Sequence, residues 1–147
     1  MLVPDNGRRI LVADPNHFYR SLVRQFLWIG QSREVSEAEC ALEAMSYLFT
    51  RPYDLLICDW ELMLYRDGGF LDMLSQRVTK GARRLPVLVT MARPTLTNVQ
   101  VAASQGMTVV LRKPFSPMAL QVRADLLVNQ APTAAAPAVA SSAQTVV

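Results

Sequence analysis

The sequence predicts an α/β fold, in which a parallel sheet is covered by helices on both faces. Its strand candidates are short, continuous apolar runs, such as residues 10–13, 55–58 and 87–89, a pattern typical of strands buried on both sides. Segments with helical spacing lie between them, and this alternation indicates parallel strands joined by right-handed crossovers. Two of these runs are followed directly by a carboxylate, Asp14 and Asp59. Open α/β sheets bind ligands at the carboxyl ends of their strands, so these residues are candidates for a functional site.

The first half of the chain contains two strands and two helices in alternation. We expect a strand over residues 9–13 and then a helix that starts at Pro15, which suits the first helical position, and stops at Gly30. Its apolar residues at helical spacing are Phe18, Leu22, Phe26 and Ile29. A weak second strand begins at Val35. The second helix covers residues 40–49, and we expect four of its residues to face inward: Ala41, Leu42, Met45 and Leu48.

The second half continues the alternation after Asp59. A polar loop over residues 61–69 follows the third strand, and Pro94 and Gly106 bound a later helix. Ser116 and Pro117 have the capping chemistry of a final helix start. The predicted elements are a helix over residues 70–78, a strand over 86–91, a helix over 95–105, a strand over 108–111 and a helix from 117 to about 129.

Length and composition favour one globular domain over residues 8–129. The 147 residues are 51% hydrophobic with a formal charge of +3, which does not by itself imply nucleic-acid binding. No apolar run is long enough to span a bilayer and the N-terminus has no signal core, so we expect a cytoplasmic protein without a membrane partner. Cys40 and Cys58 are interpreted as buried thiols. Residues 130–147, rich in Ala, Pro and Ser, are expected to form a disordered tail.

Four fragments carry a resemblance to a known family. They are residues 10–14, 54–60, 85–89 and 113–117, which read ILVAD, DLLICDW, LPVLV and KPFSP. In this order and at these spacings the chain resembles the receiver domain of two-component response regulators, over about residues 8–129. The resemblance implies a flavodoxin-like, doubly wound sheet of five parallel strands in the order 2-1-3-4-5. Asp14, Asp59 and Lys113 are then expected to cluster.

The resemblance also implies the chemistry of that cluster. Asp59 matches the phosphoacceptor, whose carboxylate forms an acyl phosphate, and Lys113 matches the lysine that compensates phosphoryl charge. The family also uses Mg²⁺, for which we expect a weak site formed by Asp14, Asp59 and Glu61. The Lys-Pro bond that follows is typically cis. The implied partners are a histidine kinase or phosphotransfer protein and a downstream protein, without DNA.

The metal site departs from the family pattern. The family has two adjacent acids after the first strand, whereas this chain has Asp14 and Pro15. The proline stands where an acid contacts the metal directly, so we expect Mg²⁺ to bind weakly. Glu61 either lends a replacement carboxylate or pairs with Lys113 and blocks the pocket, and the sequence leaves both alternatives open.

The fourth and fifth strands depart as well. Met91 stands at the position of the family's phosphoryl-binding hydroxyl, and Thr90, the offset hydroxyl candidate, lies one residue earlier. Because strand side chains alternate, Thr90 should point to the other face. Val110 occupies the position of an aromatic switch residue, and the loop after Asp59 is about one residue longer than usual.

These departures leave two functional alternatives. The first is a stand-alone receiver that accepts a phosphoryl group on Asp59 and signals by protein contact. The second is a degenerate pseudo-receiver that binds proteins without phosphorylation. We do not expect an enzyme, because an electron carrier of the same topology would need a phosphate-cradling loop where Pro15 lies. A DNA-binding regulator would need a helix-turn-helix after the last helix, where the tail has none.

Overall fold

The computed structural model describes residues 8–28, 33–79 and 84–129. Within them a single five-stranded sheet has the order β2-β1-β3-β4-β5, and each neighbouring pair is parallel. The predicted fold class and strand order are therefore confirmed. The strands are β1 Arg8–Ala13, β2 Arg33–Ala38, β3 Leu55–Asp59, β4 Val87–Met91 and β5 Val109–Arg112.

Six helices lie in the described ranges, one more than predicted. They are α1 His17–Trp28, α2 Ala41–Thr50, α3 Trp60–Met63, α4 Tyr65–Thr79, α5 Leu96–Ser104 and α6 Pro117–Asn129. The additional helix is α3, in the segment predicted as a polar loop. Asp59 caps it by accepting a hydrogen bond from the backbone N–H of Glu61, and this short helix carries the chain directly away from the strand end.

The sheet has a hydrophobic core on each face. Helices α1 and α6 pack on one face, and their buried residues include Val23, Leu27 and Leu120. Helices α2 to α5 cover the other face, where Leu48 and Phe70 are among the buried residues. All five residues of β3 are consequently buried, as expected for a central strand covered on both sides.

Helix α1 starts later and faces differently from the prediction. It begins at His17 rather than Pro15, because the Asn16 side chain accepts a hydrogen bond from the backbone N–H of Phe18 at 2.8 Å. Phe18 is 60% exposed, and the buried residues of this helix are instead Arg20, Val23 and Leu27. Leu22 and Phe26 are half-buried, and Phe26 packs against the core, so the packing of α1 against the sheet and α6 places the predicted stripe at the edge of the buried face. The predicted end near Gly30 lies outside the described residues.

Helix α2 also differs from the prediction at particular residues. Leu42 was expected to face inward but is exposed, whereas Ala41, Ala44 and Leu48 are buried. Cys40 was expected to be buried, yet it is exposed at the residue that precedes the helix, and its side chain makes no capping hydrogen bond. Cys58 is buried as predicted, and both thiols are free.

A left-handed turn precedes the regular part of α4. Arg66, Asp67 and Gly68 have φ values of 57°, 56° and 90°. A left-handed conformation costs a residue with a Cβ about 1–2 kcal/mol, so only Gly68 adopts it without strain. This turn lies in the segment predicted as a loop, and helical geometry resumes close to the predicted start of the third helix.

Two sequence-based expectations concern membranes and the tail. In the part of the chain that the structure describes, no helix combines the length and the apolar character needed to cross a membrane. The predicted tail over residues 130–147 lies outside the described residues.

We expect two leucines of α2 to differ sharply in their contribution to stability. Leu48 is 3% exposed and Leu42 is 56% exposed. Leu48→Ala should lower the free energy of unfolding by about 2–5 kcal/mol, because it leaves a cavity in the core. Leu42→Ala, the matched control, should change it by less than about 0.5 kcal/mol. Urea denaturation measures both, and equal losses would contradict the burial pattern of this helix.

Candidate functional site

Three charged side chains meet at the carboxyl edge of the sheet. Asp14 follows β1, Asp59 ends β3 and Lys113 follows β5. The Lys113 Nζ donates hydrogen bonds to Asp14 Oδ2 at 2.7 Å and to Asp59 Oδ2 at 2.5 Å. The residues Asp14 and Asp59 are 4% and 5% exposed. The structure thus brings together the three residues that the sequence predicted to cluster.

Backbone N–H groups hold the other oxygen of each carboxylate. Asp14 Oδ1 accepts a hydrogen bond from the N–H of Asn16, and Asp59 Oδ1 accepts one from the N–H of Glu61, both at 2.8 Å. In each case the donor lies two residues after the aspartate, where the chain turns from a strand into a helix. Each carboxylate is therefore fixed by one backbone donor and by the shared ammonium group, an arrangement of charge-assisted hydrogen bonds.

Lys113 is held at its backbone as well as at its ammonium group. Its N–H donates to the carbonyl of Met91 at 2.9 Å, and the Lys113–Pro114 peptide bond is cis, as the family resemblance implied. Burial lowers the pKa of Lys113, but the hydrogen bonds and negative charges of Asp14 and Asp59 outweigh it, and the pKa lies above its ordinary value. The lysine is therefore the cation of this cluster at neutral pH.

An aromatic side chain that the sequence analysis did not select completes the surroundings of Lys113. The ring centroid of Tyr19, in α1, lies 4.3 Å from Lys113 Nζ, within the range of a cation–π contact. Phe115 lies against the same ring, with centroids 5.6 Å apart. The sequence did place Tyr19 in the helix that follows Asp14. It could not show the contact with Lys113, because the two residues are far apart in the chain.

Arg20 supports the loop that carries Asp14, and the sequence analysis missed it too. This buried guanidinium donates to the Asp14 carbonyl at 2.7 Å and to Glu37 at 3.2 Å. Glu37 also accepts from Arg24 at 2.9 Å. Burial raises the pKa of Glu37, but its hydrogen bonds with Arg24 and Arg20 outweigh burial and hold the pKa below its ordinary value. These ion pairs connect α1 to β2 beside the site.

The carboxylates offer two of the three predicted metal ligands. Asp14 and Asp59 present oxygens close together, and Mg²⁺ is commonly bound through one or two carboxylates and several waters. Glu61 is exposed and forms no ion pair with Lys113 within the described residues. Among those residues no group of three acidic, histidine or cysteine side chains is arranged to hold a metal. Asp14 and Asp59 are therefore the residues that would hold Mg²⁺ here, and a ligand role for Glu61 stays a prediction.

Thr90 and Met91 point to opposite faces of the sheet, as the alternation requires, but Thr90, which was expected to point away from the phosphoryl site, lies on the face of Asp59. Thr90 pairs in register with Asp59, so the two side chains share a face of the sheet. Met91 and Val110 belong to the hydrophobic core on the opposite face, with α2 to α5. Thr90 is thus a neighbour of Asp59, whereas the two residues at the family's switch positions are apolar and buried.

Comparison with known proteins identifies the family. Residues 10–125 match the response regulator receiver domain, and this chain belongs to that family. Receiver domains are signalling modules of two-component systems, and their known structures share this fold.

Three solved structures illustrate the similarity. The chemotaxis response regulator CheY4 of Vibrio cholerae is 21% identical, with a TM-score of 0.70 over 83% of this chain and 99% of that one. A putative response regulator from Chloroflexus aurantiacus is 24% identical, with a TM-score of 0.70 over 85% of this chain and 100% of that one. The receiver domain of the Francisella response regulator 1452 is 27% identical, with a TM-score of 0.66 over 82% of this chain and 96% of that one.

The Arg20–Glu37–Arg24 ion pairs predict a specific pH dependence of stability. Because folding lowers the pKa of Glu37, its contribution is present above the unfolded value of about 4.3 and is lost as the pH falls through the folded value. Glu37→Gln should therefore be less stable than wild type near neutral pH, and the gap should narrow on acidification. Urea denaturation between about pH 7 and 3 measures this gap. Asp72→Asn, an exposed acid of α4, is the control, and a pH-independent gap for Glu37→Gln would contradict the assignment.

Proposed function

We propose that this receiver accepts a phosphoryl group on Asp59 from a histidine kinase or phosphotransfer protein, and that it signals through contacts with a downstream protein. The observation that carries the proposal is the pairing of Asp59 with Lys113 at the end of the central strand. A carboxylate is a competent nucleophile for phosphoryl transfer. The reaction also needs a cation beside it, because the phosphoryl oxygens and the aspartate are all negatively charged.

The chain's own residues account for the attack as follows. An Asp59 oxygen forms a bond to phosphorus while the bond from phosphorus to the donor atom breaks, and the leaving group keeps that electron pair. The N–H of Glu61 orients the carboxylate, and Lys113 moves its hydrogen bond from Asp59 to a phosphoryl oxygen. Thr90, beside Asp59 on the same face, is the nearby hydroxyl. Mg²⁺ held by Asp14 and Asp59 supplies further compensation of phosphoryl charge when bound.

The cellular setting belongs to the same proposal. A receiver must be in the same compartment as the kinase or phosphotransfer protein that phosphorylates it. We place this chain and its phosphodonor in the cytoplasm. It does not bind DNA in this proposal, because signalling passes through protein contact. The transfer depends on Asp59 and on the charge of Lys113. Mg²⁺ contributes less than in a receiver that has a second acid in place of Pro15.

The decisive experiment is phosphorylation by a small donor. Incubation with acetyl phosphate or phosphoramidate and Mg²⁺, followed by intact mass measurement, should add one phosphoryl group to wild type. Asp59→Asn should remain unmodified. Asp67→Asn is the matched control, because Asp67 is an exposed acid of the following loop and asparagine tolerates its left-handed backbone. Wild type that stays unmodified under every donor would favour the phosphorylation-independent alternative.

Metal binding tests the consequence of Pro15. Pro15→Asp places a second acid beside Asp14, and we expect it to tighten Mg²⁺ binding roughly tenfold, the scale on which changes around a metal alter affinity. Isothermal titration calorimetry measures the dissociation constants. Glu61→Asn is the comparison, and it should leave the affinity unchanged, since Glu61 is exposed and unpaired with Lys113 among the described residues. Tighter binding in Glu61→Asn with no change in Pro15→Asp would show that Glu61 controls the site instead.

A further inference from the structure

The ammonium group of Lys113 has neighbours on more than its two carboxylate sides. A lysine ammonium carries three donors, of which two are engaged by Asp14 and Asp59. The face of the Tyr19 ring lies on a further side, 4.3 Å from Nζ to the ring centroid. The lysine side chain is only 9% exposed. Two carboxylates and an aromatic face therefore contact this cation and leave little of its side chain exposed.

The Tyr19 ring is itself fixed by aromatic neighbours. Phe115 packs against it at 5.6 Å and 46° between the ring planes, and Phe18 meets it edge-on at 5.5 Å and 76°. Phe115 follows Lys113 by two residues, so the ring is held by the same loop whose lysine it contacts. This contact joins α1 to the segment between β5 and α6, which is far from α1 in the sequence.

We propose that Tyr19 is a positioning residue for Lys113, whose ring face keeps the ammonium group at the gap between Asp14 and Asp59. The proposal rests on the phosphoryl transfer proposed above and extends it to a residue outside the charged cluster. A lysine has a flexible four-carbon stem and a strongly hydrated head, so two carboxylates alone leave it free to turn one donor towards water. The ring occupies that side and strengthens the remaining ionic contacts by excluding water.

This role requires the face of an aromatic ring rather than a hydroxyl or a filled volume. Tyr19→Phe keeps the ring and should behave as wild type. Tyr19→Leu keeps an apolar side chain of moderate size and loses the ring. Phe49→Leu, in α2 and 66% exposed, is the control for removing an aromatic residue elsewhere.

The first measurement does not depend on phosphorylation. The sequence has only two lysines, Lys80 and Lys113, so selective lysine labelling in a Lys80→Arg background leaves one lysine to observe by NMR. An aromatic face shifts the resonances of protons above it upfield. We expect upfield-shifted side-chain resonances of Lys113 in wild type and Tyr19→Phe, and their return to ordinary positions in Tyr19→Leu.

The second measurement is the rate of phosphorylation by a saturating small donor. Tyr19→Leu should react roughly three- to tenfold more slowly than wild type, the range that a cation–π contact supports, whereas Tyr19→Phe should stay within about twofold. Phe49→Leu should match wild type. A purely structural role would lower the stability of Tyr19→Leu but would leave the phosphorylation rate of the folded protein unchanged.

The outcomes that overturn the proposal are distinct from those that overturn the function. Wild-type Lys113 resonances without an upfield shift would overturn it, even if Tyr19→Leu failed to fold. Equal slowing in Tyr19→Phe and Tyr19→Leu would overturn it too, since the hydroxyl rather than the ring would then act. If wild type accepts no phosphoryl group, the proposed function fails, and the resonances alone decide the role of Tyr19.

Discussion

The pairing of one lysine with two buried carboxylates is the constraint on which this site depends. Asp14 and Asp59 lie at the ends of neighbouring strands, and two buried anions at this separation need a cation between them. Lys113 supplies it from the end of β5. Strand order makes this contact available, because β1 and β3 are adjacent in the sheet and the lysine side chain reaches them past the end of β4.

The surrounding backbone prepares the cluster before any ligand arrives. Both carboxylates accept a hydrogen bond from an N–H two residues further along the chain, so the strand-to-helix turns determine where the oxygens point. Arg20 holds the carbonyl of Asp14, and Met91 accepts from the N–H of Lys113. Preorganised dipoles of this kind need little rearrangement when charge develops nearby.

The departures from the family pattern change the balance between metal and lysine. With Pro15 in place of an acid, the carboxylates that could hold Mg²⁺ are Asp14 and Asp59, and Lys113 contacts both. A metal held by these two residues would share both anions with the ammonium group. On the other face, Met91 and Val110 fill the core and have neither a hydroxyl nor a ring with which to follow a phosphoryl group. The pairing of Lys113 with both carboxylates is accordingly the part of the family pattern that this structure contains most completely.

The sequence by itself determined the strands, their parallel arrangement and, through its resemblance to receivers, the meeting of Asp14, Asp59 and Lys113. These follow from continuous apolar runs and from residues at strand ends, which are local signals. Only the tertiary structure decided that Phe18 and Leu42 are exposed and that Tyr19 lies over Lys113. Such choices depend on contacts between segments far apart in the chain, and a helical repeat of apolar residues does not say which of two adjacent faces will meet the sheet.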